Sequence, residues 1–91
     1  MAKVKIGKNE YEVGALNAYD LDIINEGYEG KTLSKLKQSF MIYLYAVKLY
    51  NPDVKMELEE FMKSCPLEEI DRVCKKFNEV TGLNFILPKK I

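Results

Sequence analysis

Apolar and polar residues alternate through VKIGKNEYEV (Val4 to Val13) on both sides of a GKN tripeptide. Alternation with a period of two, broken by turn residues, predicts a β-hairpin with one apolar face. A two-residue turn at Lys8-Asn9 pairs Ile6 with Tyr11 and Val4 with Val13 on that face. It also sets Lys5 opposite Glu12 on the other face. A lone hairpin is marginal in water, so its apolar side must lie on helices or on another strand.

Beyond Gly14 the apolar spacing lengthens to that of helices. Asn17 caps a short helix with Asp20 at its third position, Leu21 and Ile24 face inward, and Gly27 and Gly30 mark the exit. Thr32 caps a second helix over 33–50, which Asn51-Pro52 stops because proline disfavours helical geometry in the residue before it. A short helix follows at 57–64. Pro66 opens the last helix, with Leu67, Ile70, Val73, Cys74, Phe77 and Val80 inward. Glu68–Arg72 and Asp71–Lys75 have ion-pair spacing on it, and Gly82 followed by Leu83 is its C-cap signal.

Within the second helix, FMIYLYAVKLY (Phe40 to Tyr50) is apolar at every position except Lys48. Its unbroken apolar run, Phe40 to Val47, is far short of the roughly 20 residues of a membrane-spanning helix. With Phe40 inward, Ile42, Tyr45 and Leu49 point the opposite way, behind Lys35 and Gln38 one or two turns earlier. A helix apolar nearly all round must be covered on two sides. The candidates for the far side are the chain's own FIL segment (85–87), a second copy and a partner. The candidate partner-binding residues are therefore Ile42, Tyr45 and Leu49, with Met41 beside them.

The 91 residues make one domain: a hairpin over 1–14, a helical part over 15–82 and a tail over 83–91. The class is α+β, mostly helical. Fourteen basic and fourteen acidic residues cancel, and Arg72 is the only arginine, so no overall basic field invites nucleic acid. A small nucleic-acid-binding or regulatory protein stays as the alternative reading. It requires Lys3, Lys5 and Lys8 to converge with Lys31, Lys35 and Lys37. The chain has no histidine, which removes histidine bases and metal ligands. Cys65 and Cys74 lack CxxC spacing and read as buried, reduced, intracellular thiols. The N-terminus, alternating lysine with valine and isoleucine, is unlike a secretory signal.

Other chemical signals are weak. Glu57, Glu59, Glu60, Glu68, Glu69 and Asp71 read as a solvated acidic face interspersed with lysines, not a metal or acid–base site. The GKT at 30–32 lacks the upstream glycine of a phosphate-binding loop, since Asn25 stands there. No catalytic residue, cofactor or metal is expected. An enzyme acting through Cys65 or Cys74 is the third and least supported reading.

The order of segments resembles the small tail assembly chaperones of long-tailed, siphovirus-type bacteriophages. The hairpin VKIGKNEYEV leads into a helical domain as in that family. LEEFMKSCPLEEIDRVCKKFNEVTG looks like its closing helical pair. The resemblance spans nearly the whole chain but rests on pattern, without an invariant motif. It implies a non-catalytic chaperone or scaffold that binds the tail tape-measure protein, helps recruit tail-tube subunits and leaves before the virion is complete. It places that work in the host bacterial cytoplasm. Such a role needs an apolar, adaptable surface, for which Met41, Met56 and Met62 are suited. Self-association and a longer, frameshifted product are further expectations of the resemblance.

Overall fold

The computed structural model describes residues 1–27 and 33–83. Strand β1 (Ala2–Ile6) and strand β2 (Asn9–Val13) form an antiparallel two-stranded sheet. Four helices follow: α1 (Ala18–Glu26), α2 (Lys35–Tyr50), α3 (Leu58–Lys63) and α4 (Ile70–Thr81). A single 3-10 turn, Leu67–Glu69, leads into the last of them. The fold is α+β and mostly helical.

The hairpin register differs from the expected one by two residues. Val4 faces Tyr11, Ala2 faces Val13 and Ile6 faces Asn9, so the turn is Gly7-Lys8. Gly7 has φ +58° while Lys8 keeps a negative φ, the combination that places glycine first in a type II′ hairpin turn. This register sets two charge pairs across the strands, Lys3 opposite Glu12 and Lys5 opposite Glu10. The expected register made only the Lys5–Glu12 pair. A shift of two keeps every side chain on its own face, so Val4, Ile6, Tyr11 and Val13 are buried as the alternation requires.

Helix starts follow local hydrogen bonding. Asn17 Oδ1 accepts from the Asp20 backbone N–H at 3.0 Å, and Asp20 Oδ2 accepts from the Asn17 N–H at 2.9 Å. This reciprocal capping box fixes the start of α1. Helix α2 begins two residues later than expected, because Ser34 Oγ caps it by accepting from Lys37 N–H at 3.1 Å. The proposed cap, Thr32, lies outside the described residues, as do Gly30, Lys31 and the tail 84–91.

Pro66 is extended at ψ 149° and precedes the 3-10 turn, so α4 proper starts at Ile70. Leu67 is accordingly on the surface, 84% exposed, and not in the inward stripe. Arg72 pairs with Glu69 at 2.8 Å, three residues back, in place of Glu68. Gly82 ends α4 at φ +91°, and Leu83 folds back into the core.

The core forms where the hairpin face meets α2 and α4. Phe61, sent in by α3, sits edge-on to both Tyr11 and Phe40, at 6.4 and 5.8 Å between ring centres. Tyr43 stacks on Phe77 at 4.6 Å, joining α2 to α4, and its hydroxyl donates to Asn78 Oδ1. These rings supply most of the volume around which Val4, Ile6, Val47 and Val73 close.

Candidate protein-docking groove

Helix α2 is covered on more than one side, but its far side is met by α1. The Tyr45 hydroxyl donates to Asp20 Oδ1 at 2.8 Å. Asp20 is nearly buried, and its other carboxylate oxygen belongs to the α1 capping box. A carboxylate held by two donors at a helix start is well satisfied, so the Tyr45–Asp20 hydrogen bond pins α1 to α2, and Ile24 on α1 is buried as well. Near the other end of α1, the Met41 methyl group lies 3.6 Å from where a Cβ on Gly27 would stand.

The four candidate residues on α2 therefore separate. Ile42 is half-buried against the core. Leu49 is 47% exposed and remains on the surface. Met41 and Tyr45 are half-buried and lie along the edge of an apolar groove between α2 and α3. Sequence spacing placed Tyr45 with Ile42 and Leu49, whereas the fold assigns it with Met41 to a different flank.

Two adjoining depressions that share Glu57 and Leu58 make up this groove. On the α2 side it is lined by Leu33, just ahead of the helix, and by Lys37, Met41, Leu44, Tyr45 and Lys48, a ridge with spacings of three and four that presents one helical flank. On α3 it is lined by Leu58 and Met62, with Glu57, Glu59 and Lys63 at the rim. Lys63 is paired with Glu59 at 3.2 Å. Lys37 and Lys48 are in no ion pair among the described residues, so they leave the rim positive at both ends of the α2 ridge. Met62 was expected only as one of the methionines suited to an adaptable surface, and Leu58 was not expected at all. Their i, i+4 spacing within the short α3 was the available signal, but its meaning depends on where α3 lies against α2.

The arrangement suits docking of an apolar side-chain row. Two unbranched thioethers, Met41 and Met62, line it and adapt to different shapes.

Elsewhere several titratable groups have structural partners. The half-buried Glu69 accepts from the Gly7 backbone N–H at 2.9 Å as well as from Arg72, tying the hairpin turn to the start of the last helix. Cys65 is buried and Cys74 half-buried, both as free thiols. Burial, with Glu69 nearby, pushes the Cys65 thiol up, opposite to the shift that would make it a nucleophile. Lys3 and Lys5 on the hairpin stand opposite Glu12 and Glu10, so that surface is of mixed charge. No group of three metal-ligating side chains gathers among the described residues, and no helix there is long and apolar enough to cross a membrane.

Comparison of the chain with protein-family profiles, with curated proteins and with solved structures finds no match.

Proposed function

We propose that the protein is a non-catalytic assembly chaperone or scaffold of long-tailed bacteriophage tails. It acts in the host cytoplasm by holding an apolar helical segment of the tape-measure protein and helping to gather tail-tube subunits around it. It then departs before the virion is complete. The observation that carries this reading is the α2–α3 groove, an adaptable apolar strip lined by Met41, Leu44, Leu58 and Met62. An amphipathic helix laid along such a strip buries its apolar side and is kept from aggregating. The resemblance in segment order supplies the identity of the client.

Co-expression with a tape-measure fragment tests it. The fragment is expected in the soluble fraction beside the wild-type chain, and in the pellet beside a folded Met62→Asp variant. A fragment whose solubility is indifferent to the wild-type chain overturns the proposal.

A further inference from the structure

Four residues of the groove wall on α2 recur with spacings of four, three and four: Lys37, Met41, Leu44 and Lys48. At 100° per residue they fall within about 60° of one another, and the two lysines within about 20°. The wall is therefore a single row, apolar in the middle and cationic at both ends. Lys37 and Lys48 stand eleven positions apart, which is three turns and about 16 Å along the axis. Both are exposed, and neither is in an ion pair among the described residues.

The opposite wall has another character. Leu58 and Met62 stand one turn apart on α3, and Lys63 beside them is paired with Glu59. Glu57, at the start of α3, lines both halves of the groove and is in no ion pair among the described residues. One wall thus presents two unmatched cations in a fixed spacing, and the other an unmatched anion. The chain's own tail carries Lys89 and Lys90, the wrong sign for the α2 row.

We infer that the groove selects an amphipathic helix carrying acidic, apolar, apolar and acidic residues at i, i+4, i+7 and i+11, the α2 row with its charges reversed. Two helices packed side by side rise almost equally along their shared direction, so acids eleven residues apart stay level with Lys37 and Lys48. The two apolar residues between them lie against Met41 and Leu44, and the next apolar positions round that helix reach Leu58 and Met62. A further acid on the flank toward α3 would meet Glu57 and is selected against. The row reads the same from either end, so the pattern sets the register of the bound helix and not its direction. The inference rests on the groove holding a client helix, as proposed above, and adds the class of segment it takes.

Labelled helical peptides of about 18 residues, long enough for the row, test this by fluorescence anisotropy on the full chain. One carries glutamates eleven positions apart. A second, of identical composition, has one glutamate moved two places, to the far side of its helix. A third has lysines in place of the two glutamates. The first is expected to bind at least about fivefold more tightly than the others, an advantage that shrinks as salt rises. Lys37→Glu/Lys48→Glu should reverse the preference in favour of the lysine peptide, a reversal that loss of folding cannot produce. Should that variant unfold, Lys37→Gln/Lys48→Gln should abolish the preference while circular dichroism stays unchanged. Equal binding of the three peptides, or no binding of any, overturns the inference. Binding seen only after removal of residues 84–91, or only at dilutions that dissociate a dimer, gives the groove to the chain's own tail or to a second copy and overturns it equally. A tape-measure fragment that stays insoluble beside a chain showing the peptide preference removes the client's identity alone. A fragment kept soluble by a chain without that preference removes this inference alone.

Discussion

The hydroxyl of Tyr45 and the carboxylate of Asp20, twenty-five residues apart, meet at 2.8 Å and lock α1 onto α2. Tyr45→Phe keeps the ring and deletes only this bond, leaving one oxygen of a nearly buried carboxylate unpaired. Hydrogen bonds to charged groups contribute about 1.5–3 kcal/mol, and the half-exposed ring places this one near the lower end. Urea unfolding should show a loss of about 1–2 kcal/mol. A loss no larger in the wild-type background than in Asp20→Ala would mean that the contact contributes nothing.

Charge introduced at two neighbouring positions on α2 should have unequal consequences. Leu49→Asp alters a surface side chain outside both core and groove and should change stability by less than about 0.5 kcal/mol. Tyr45→Asp sets a second carboxylate toward Asp20 and should cost more than about 2 kcal/mol, measured by thermal or urea unfolding. Equal effects would contradict the separation of these two residues onto different flanks.

Two glycines at positive φ make a further comparison. A Cβ on Gly7 would stand 2.6 Å from the carbonyl oxygen of Ser64, which is backbone and cannot swing aside. At Gly82 nothing lies within 4 Å. Gly82→Ala should therefore show mainly the left-handed backbone penalty, about 1 kcal/mol. Gly7→Ala adds the clash, for a total of about 3 kcal/mol. Similar melting temperatures for the two variants would argue against the close approach of the hairpin turn to the α3–α4 connection.

Stability should also fall in alkali for a definable reason. Burial raises the Tyr11 and Tyr43 phenols, Cys74 adding to the effect at Tyr43, and the Asp20 hydrogen bond raises Tyr45. A folded-state pKa above the unfolded one means that the folded chain binds more protons at high pH. The stabilisation is then complete below the ordinary tyrosine value of about 10 and is lost as pH climbs through the raised values. Urea midpoints should hold steady from about pH 8 to 9 and fall beyond about pH 10, less steeply in Tyr45→Phe. A midpoint that rises with pH in that range would reverse the sign.

Legibility from sequence followed the range of the interactions. The caps at Asn17 and Gly82 depend on residues within one turn and were readable, as was the Asn51-Pro52 stop. Hairpin faces were readable because alternation has a period of two, but two registers share that parity and both oppose lysine to glutamate. The glycine at the first turn position and the second charge pair, Lys3–Glu12, decide between them. At α4, the extended Pro66 and the 3-10 turn after it shift the helical phase, which moves Leu67 out of the inward stripe and gives Arg72 to Glu69. The cover on the far side of α2 was not readable, since it requires knowing that Asp20 reaches Tyr45. The groove was half legible: Met41 and Tyr45 were selected on α2 and Met62 for its adaptable side chain, whereas Leu58, and the place of Met62 beside α2, depend on the position of α3.

Asn51, the residue at which α2 stops, has one more consequence. Its side-chain amide donates to the Glu12 carbonyl at 2.7 Å, and its Oδ1 accepts from the Glu12 N–H at 3.3 Å. Both main-chain groups of Glu12 point away from β1, so a carboxamide stands where a third strand would bind. An unprotected edge of this kind is a template on which extended segments of other chains assemble. With its middle plugged, the β2 edge cannot capture a sticky polypeptide along its backbone. Contacts made on that side of the molecule are left to side chains, and these can be released without unzipping a sheet.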